Sequence, residues 1–338
     1  MSSKYSRQEL FMPIGKGGQE RLGKSAVFIL GAGALGSSGA EMLVRAGVGK
    51  VTIVDRDYVE WTNLHRQQLY TEQDVADRLP KAVCAERRLA AINRDVRISG
   101  IVADVTAENI QKLIAGHDVL LDATDNMETR LLANDAACKM GLPFFMGACV
   151  GSYGLTFPFG VQTEQPCLHC LLDTLPAQTM TCDTAGIISP AVVTTAARQV
   201  AGVLKYLTTG EMEPKLESAD VWTGERSSID VSGLKKRDCP SCSEHASYPF
   251  LTTGTSVRPA VLCGRDTVQL IWPGSRRVEL PLFVQSVKKV VSNLVHNPYL
   301  VACEYHGHRV VLFRDGRMLV HGTKSIPTAK KIASELIG

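Results

Sequence analysis

Three glycines in the segment AVFILGAGALG have the spacing of a phosphate-binding turn. Gly31, Gly33 and Gly36 form a G-x-G-x-x-G pattern directly after an apolar run, and residues without a Cβ atom let the backbone turn tightly against a phosphate. The following residues read as a helix, whose free N–H groups and positive dipole end would face the same anion. The pattern predicts a nucleotide site, although a tight turn without a ligand would use the same glycines.

A carboxylate stands where the ribose of such a nucleotide would lie. Asp55 ends a second apolar run, and 55 − 36 = 19 residues separate it from the last glycine. Nucleotide-binding folds of this kind place an acidic residue about 20 positions further on, where it accepts hydrogen bonds from ribose hydroxyls. Asp57, two positions later, is counted among the candidate nucleotide-binding residues.

Four further polar side chains follow soon after this acid: Asn63, Arg66, Gln67 and Lys81. A hydride-transferring dehydrogenase gives no reason for such a set, whereas a nucleoside triphosphate does. Attack of a carboxylate on an α-phosphate builds negative charge there and on the departing pyrophosphate, and nearby cations stabilise it. Each residue taken singly is most simply read as a solvated surface group; their joint placement after one glycine turn favours the triphosphate.

The segment DATDN adds a candidate metal ligand to this site. It places Asp125 and Asn126 just beyond a strand predicted over residues 119–123, and ligands of open α/β sheets bind outside the carboxyl ends of the strands. A carboxylate there is suited to hold the Mg²⁺ that bridges phosphate oxygens. A solvated surface charge is the alternative for Asp125.

Two C-x-x-C pairs have the spacing of a structural zinc site. They consist of Cys167 with Cys170 and Cys239 with Cys242, and two such pairs complete a closed tetrahedral set of four thiolates. The alternative is a pair of redox or core motifs without metal. Because all four sulfurs are used, the metal is expected to stabilise the fold rather than to catalyse.

Alternating strands and helices must position these residues. Apolar strands are predicted over 26–30, 51–54, 96–102, 119–123 and 144–150, with helices over 37–46, 81–93, 107–115 and 128–140 between them. This order predicts an α/β fold with a Rossmann-like, mostly parallel sheet. The alternation over 153–161 predicts an antiparallel extension of that sheet, and a long capped helix follows from Ser189.

The C-terminal part reads as a separate small α+β unit. We predict a first domain over residues 1–246 with the zinc site, a linker over 247–256, and an accessory domain over 257–338. Within the last, strands are predicted over 268–273 and 276–282, an amphipathic helix over 283–295, three further strands and a closing helix over 327–337. The residues of this part suggest no catalytic role.

Composition excludes several classes of partner. The chain has 338 residues with 37 Lys and Arg against 34 Asp and Glu, a net charge of +3. This small positive excess is far below what binding to nucleic acid or to an anionic membrane requires, so neither is expected as a partner. No apolar run approaches the roughly 20 residues of a membrane helix, and MSSKYSRQELF lacks a signal-peptide core. A cytoplasmic location is expected, where ten cysteines serve as ligands, nucleophiles or core residues.

In combination, these motifs resemble the adenylyltransferases related to ubiquitin-activating enzymes, the family of the bacterial ThiF and MoeB proteins. The matching segments are YSRQ at residues 5–8, GAGALG, the run from Asp55 through NLHRQ, Lys81, DATDN, both C-x-x-C pairs and CDTAGIISP. The resemblance covers roughly residues 4–245. It implies that ATP activates the C-terminal glycine of a ubiquitin-like sulfur carrier as an acyl-adenylate, with release of pyrophosphate.

The resemblance also implies roles for individual residues. The three glycines would lie under the phosphates and Asp55 on the ribose; Arg66 and Lys81 would contact the phosphates, and Asp125 would hold Mg²⁺. Arg7 would reach into the nucleotide site of a partner subunit, which implies a homodimer.

The pathway and the role of Cys182 stay open at this stage. A ThiS-like carrier of thiamin (thiazole) biosynthesis is favoured over a MoaD-like carrier of molybdopterin biosynthesis.

Cys182 lies in the loop MTCDTAG before a capped helix, where a thiol pKa can fall. In ThiF-like proteins a cysteine there is linked to sulfur transfer, with a sulfur donor such as a cysteine desulfurase; a functionless loop thiol is the alternative. Two alternative functions from other protein classes are an NAD-dependent dehydrogenase and a non-catalytic scaffold.

Overall fold

The computed structural model describes residues 4–160, 165–172, 185–252, 260–261, 266–271 and 277–337. Its contacts divide the chain into two compact units. The first contains residues 1–57, 62–70 and 81–254; the second contains residues 58–61, 71–80 and 255–338. The domain boundaries predicted at residues 246 and 256 stay a prediction.

An eight-stranded sheet forms the centre of the first unit, in the order β3-β2-β1-β4-β5-β6-β7-β8. Strands β1 to β5 run parallel, and β6 to β8 are antiparallel additions at one side. The strands are β1 (Ala26–Leu30), β2 (Lys50–Asp55), β3 (Arg97–Val102), β4 (Val119–Asp122), β5 (Phe144–Val150), β6 (Tyr153–Phe159), β7 (Lys215–Asp220) and β8 (Arg226–Asp230). The predicted α/β fold with an antiparallel extension is confirmed.

Helices cover this sheet because apolar central strands need burial on both faces. They are α1 (Ser6–Glu9), α2 (Gly15–Lys24), α3 (Ala34–Ala46), α5 (Lys81–Ile92), α6 (Ile110–Ile114), α7 (Met127–Met140), α8 (Leu168–Leu171), α9 (Ser189–Thr209) and α10 (Pro249–Thr252). Short 3₁₀ turns occur at Trp61–Asn63 and Ser232–Leu234. The long helix α9 packs against α3 and against strands β5 and β6.

Close approach of α9 to the sheet depends on small residues. A methyl group at Gly147 of β5 would lie 2.3 Å from the side chain of Gln199. The Gln199 amide donates to the carbonyl oxygens of Asp122 and Phe145, at 2.8 and 3.0 Å. The helix therefore holds the ends of two central strands by hydrogen bonds as well as by packing.

A second sheet of six strands forms the other unit, in the order β11-β12-β13-β14-β10-β9. Its elements are β9 (Ala260–Val261), β10 (Thr267–Leu270), α11 (Leu280–Val287), β11 (Ser292–His296), β12 (Leu300–Tyr305), β13 (His308–Phe313), β14 (Met318–His321) and α12 (Ile326–Ile337). Helix α4 (Glu72–Ala76) belongs to this unit as well. Apolar residues of the strands and of α11 and α12 share one core.

Two predicted elements of this unit are wrong. The segment predicted as a strand over 276–282 has no described strand, since helix α11 begins at Leu280 with Pro281 in its first turn. That helix ends at Val287, and residues 292–295, the end of the predicted helix, lie in β11 instead. Among the described residues, no helix combines the length and the apolar character that a bilayer-spanning segment requires.

Candidate active site

The glycine turn after β1 is a close contact between three backbone segments. Gly31 has φ +99°, and a methyl group there would lie 2.9 Å from the carbonyl oxygen of Ala123, after β4. A methyl group at Gly36 would lie 1.9 Å from the carbonyl oxygen of Gly31. Helix α3 begins after Gly33, and no described side chain caps it. Its N-terminal N–H groups are thus left to bind an anion.

Asp55 is held against this turn. Its carboxylate accepts hydrogen bonds from the backbone N–H of Ala32 at 2.6 Å and of Asp57 at 2.7 Å. Desolvation raises the pKa of the Asp55 carboxyl, and the Lys81 ammonium partly offsets that effect. The predicted acid therefore lies beside the glycine turn, in an orientation fixed by backbone donors.

The polar loop after β2 folds back over the glycines. The Nε2 atom of Gln67 lies 4.0 Å from the position of a methyl group on Gly33. The hydroxyl of Tyr70 donates to the carbonyl oxygen of Ala32 at 2.5 Å. Gln67 is 3% exposed, and its Oε1 atom finds no hydrogen-bond partner among the described residues. A buried acceptor of this kind fits a donor group of a bound ligand.

Asn63 and Arg66 lie in the same loop. Asn63 is buried, and its carbonyl oxygen accepts the N–H groups of Arg66 and Gln67 in a tight turn. The half-buried Arg66 donates from Nη1 to the carbonyl oxygen of Thr62 at 2.7 Å. The turn thus presents a side-chain amide and a guanidinium from residues three positions apart.

Lys81 comes to the site from the first turn of α5. It is 4% exposed, and its Nζ atom lies 3.3 Å from Oδ2 of Asp57. Its backbone N–H also donates to the carbonyl oxygen of Asp57 at 2.9 Å. The candidate cation and the end of β2 are therefore fixed to each other at two points.

The segment after β4 forms the third side of the turn. Asp125 is exposed, and Asn126 caps helix α7 by accepting the Thr129 N–H at 2.8 Å. Fully buried Arg130 donates from Nε to Asp122 and from Nη2 to the carbonyl oxygen of Thr124, both at 2.6 Å. This buried ion pair fixes the backbone that leads to Asp125.

Arg7 lies away from the glycine turn of its own chain. Its neighbour Gln8 donates to the carbonyl oxygen of Ala46, at the C-terminal end of α3, and Tyr5 packs on Gly47. Helix α3 has 13 residues, which corresponds to about 20 Å at 1.5 Å per residue. The exposed Arg7 is therefore not brought together with the other predicted site residues.

The four cysteines of the two C-x-x-C pairs form one cluster. All four Sγ atoms lie within 4.8 Å of one another, with Cys167–Cys239 at 3.6 Å and Cys170–Cys242 at 3.5 Å. Tetrahedral zinc with bonds of about 2.3 Å would place its sulfurs about 3.8 Å apart. The donor set and its geometry therefore fit zinc.

Nitrogen donors lie beside two of the four sulfurs. The Nζ atom of Lys235 lies 3.2 Å from the Cys242 sulfur, and the Lys236 N–H donates to the Cys170 sulfur at 3.5 Å. Hydrogen bonding, most of all with Cys167, lowers the pKa of Cys170 and lowers that of Cys242 to about 6, whereas hydrogen bonds with neighbouring cysteines and burial raise the pKa of Cys167 and Cys239. Donors to the sulfurs orient and stabilise metal-binding thiolates.

Helix α7 carries the support for both cysteine pairs. Asn134 accepts the Leu168 N–H at 3.0 Å. Asp135 accepts the Ser241 hydroxyl and the Phe250 N–H, and Ser241 also bonds to Nδ1 of His169. Both α7 residues are fully buried. The cluster thus ties α8, the second cysteine pair and α10 to the helix that begins beside Asp125.

Several supporting residues were not predicted. Tyr70, Arg130, Asn134 and Asp135 all hold backbone or side chains of the site. The last three are polar residues on the buried side of α7, whereas Tyr70 lies in the polar loop, where no pattern singled it out. Cys182, predicted as a sulfur-handling residue, lies outside the described residues.

The fold and the site define an α/β nucleotide-binding protein with a four-cysteine cluster. The ThiF family model matches residues 5–241, and the chain belongs to that family. A sulfur carrier protein ThiS adenylyltransferase of Bacillus subtilis (strain 168) is 54% identical over 338 residues, covering all of both chains. One of Escherichia coli (strain K12), with the same name, is 33% identical over 247 residues, 73% of this chain and 97% of that protein.

Solved structures agree on the fold. A crystal structure of E. coli MccB with ATP has a TM-score of 0.61 and 21% identity, covering 72% of this chain and 75% of that chain. A likeness at this identity concerns the architecture alone.

Proposed function

We propose that this protein uses ATP to adenylylate the C-terminal glycine of a ThiS-like, ubiquitin-like sulfur carrier protein in thiamin biosynthesis. The observation that most supports this function is that three separate segments meet at the glycine turn. Gln67 lies over Gly33, the Asp55 carboxylate accepts the Ala32 N–H, and the end of β4 lies against Gly31. The full-length likeness to a ThiS adenylyltransferase supports the same function.

The chemistry follows from the charges at this turn. A carboxylate oxygen of the carrier attacks the α-phosphorus of ATP, an acyl–O–P bond forms, and the bond to pyrophosphate breaks. Lys81 and Arg66 stabilise the negative charge that develops on the phosphates, and the N-terminus of α3 binds them. Asp55 accepts the ribose hydroxyls, and Asn63, Gln67 and Asn126 line the site.

Two metal ions belong to this proposal. Asp125 would hold Mg²⁺, which would neutralise part of the phosphate charge. Zn²⁺ held by Cys167, Cys170, Cys239 and Cys242 would stabilise the fold, because four thiolates leave no open coordination position for a substrate.

A homodimer with Arg7 acting in the partner's site is the arrangement we favour. The position of Arg7 at the far end of α3 supports it, since the side chain is exposed and cannot reach its own turn. Cys182 is proposed to bond to the carrier's activated end: its thiolate would attack the acyl-adenylate carbonyl, so that a thioester forms and AMP leaves, and a cysteine desulfurase would be the sulfur donor for the later transfer. Mass spectrometry of Cys182 after incubation with carrier, ATP and sulfur donor tests this; an unchanged thiol in every condition would reject it.

Carrier-dependent exchange of radiolabelled pyrophosphate into ATP tests the proposed function. A purified ThiS-like carrier should drive exchange, and a carrier lacking its terminal glycine should not. A MoaD-like carrier serves as the comparison. Faster exchange with this carrier would assign the protein to molybdopterin biosynthesis instead. Absence of exchange with both carriers would reject adenylylation. A substrate-dependent absorbance change with NAD would instead support the function of a dehydrogenase.

A further inference from the structure

The residues that lead into the polar loop are held by the C-terminal sheet. The hydroxyl of Tyr58 lies 3.1 Å from Nε2 of His321. Glu60 and Arg309 form an ion pair at 2.5 Å, and the Arg309 guanidinium lies 5.7 Å from the centre of the Tyr58 ring. We call residues 62–70 the nucleotide loop, and these four residues its entry anchor.

The C-terminal side of the entry anchor is itself rigid. Nδ1 of His321 lies 2.9 Å from the hydroxyl of Thr267 on β10, and the His321 carbonyl oxygen bonds to His308 on β13 at 3.0 Å. His321 ends β14 between these two strands. The imidazole therefore has little freedom to follow a moving loop.

A second contact holds the residues that leave the loop. The side-chain amide of Asn297 donates to the carbonyl oxygens of Asp77 at 3.0 Å and Arg78 at 3.2 Å. The same side chain accepts the N–H groups of Tyr299 and Leu300, which fixes its orientation. Arg78 has φ +48°, a strained value for a residue other than glycine. We call Asn297 and these two carbonyls the exit anchor.

The two ends of the loop are also joined to each other. The Val59 N–H donates to the carbonyl oxygen of Leu79 at 2.9 Å, and Tyr58 and Pro80 form a β-bridge. Along the chain, Asp57 immediately precedes this closed base and Lys81 immediately follows it. The nucleotide loop between the anchors carries Asn63, Arg66 and Gln67.

We propose that the second unit, which contains the C-terminal sheet, is a positioning element for adenylation. Because it fixes the base of the nucleotide loop, it sets where Arg66 and Lys81 meet the phosphates. The proposal rests on the function proposed above. Glu60, Tyr58, His321, Arg309 and Asn297 are accordingly positioning residues, since they act through the loop. The alternative is that these contacts only add stability.

Full-length Glu60→Gln and Arg309→Gln variants test this proposal. A displacement of about 1 Å at a reacting group costs about a hundredfold in rate, so we expect a tenfold to hundredfold fall in the kcat of pyrophosphate exchange, or an equal rise in the KM for ATP. Arg309→Lys, which keeps the charge facing Glu60, should recover part of the loss. The double variant should lose no more than either single variant.

The matched control is Lys324→Gln, which removes an exposed ion pair with Asp266 from the same unit. It should leave kcat and KM unchanged. Thermal unfolding midpoints of all variants separate positioning from stability. Wild-type kcat and KM in Glu60→Gln and Arg309→Gln with a lowered midpoint would overturn the proposal.

Two readouts are independent of the carrier. Amide hydrogen exchange over residues 62–70 should be faster in both Gln variants than in wild type, and the dissociation constant for ATP should rise. Unchanged exchange over this loop would overturn the positioning role, whether or not any carrier is adenylylated. A wild-type protein that binds ATP yet drives no pyrophosphate exchange would reject the proposed function alone.

Discussion

The Nζ atom of Lys81 lies 3.3 Å from Oδ2 of Asp57, and the Lys81 side chain is 4% exposed. A buried ammonium needs a compensating carboxylate, because an isolated charge in a poorly hydrated place is costly. The pair therefore keeps a cation beside the glycine turn before any nucleotide arrives. In the proposed reaction, that charge would act on the phosphates without rearrangement of the fold.

Replacing Lys81 by methionine should lower the rate of pyrophosphate exchange by about 10²–10³, the usual effect of removing one group that stabilises a transition-state charge. Methionine keeps most of the buried stem, so the fold should persist by circular dichroism. Lys205→Met, at an exposed ion pair with Glu213, is the control and should keep wild-type exchange. Normal activity of Lys81→Met would exclude Lys81 from the chemistry.

Gly36→Ala should abolish ATP binding, because the new methyl group would lie 1.9 Å from the Gly31 carbonyl oxygen and would force the turn open. Equilibrium binding of ATP measures this. Gly23→Ala is the matched control, since Gly23 lies in helix α2 with open space around it, and alanine favours helices. Equal ATP affinity in both variants would contradict a close phosphate turn.

Arg130→Met should destabilise the first unit by about 3–5 kcal/mol, since it leaves the fully buried Asp122 carboxylate without its partner. Denaturant titration measures the free energy of unfolding. The double variant Arg130→Met with Asp122→Leu should recover part of the loss because no charge then remains buried. A double variant as unstable as the single one would indicate that the Thr124 and Gly147 carbonyls matter more.

Metal removal should destabilise the protein through the cysteine cluster. Metal analysis of the purified protein should give one zinc per chain, as a site with four thiolates predicts. Chelation or Cys170→Ser should lower the unfolding midpoint, whereas Cys84→Ser, at a buried cysteine outside the cluster, should retain the metal. A Cys170→Ser protein with full zinc content would reject the assignment.

Mixing two inactive variants tests Arg7. If Arg7 acts in the partner's site, then Arg7→Ala and Lys81→Met chains should complement each other, since a mixed dimer has one site with both residues intact. Random pairing predicts recovery of about a quarter of wild-type exchange. No recovery, in a sample shown to contain mixed dimers, would place both residues in one chain's site.

Local patterns were sufficient for the main sheet. Gly31 directly follows β1, and strands β2 and β4 end at Asp55 and Asp122; parallel strands place such ends at one edge. The C-terminal unit was predicted less well. Leu280–Val287 is a short, mostly apolar segment in which helix and strand periods look alike, and Ser292–His296 has only two apolar residues. Pro281 and the pairing of β11 with β12 decided between them.

By itself, the sequence determined the glycine turn, the Asp55 carboxylate, the cysteine pairs and the family, because each depends on residues close together in the chain. Only the tertiary structure decided that Tyr58 meets His321 and that Glu60 meets Arg309. These pairs are separated by 263 and 249 positions. No local period encodes such a separation, and each contact forms only when residues 58–60 meet the folded C-terminal sheet.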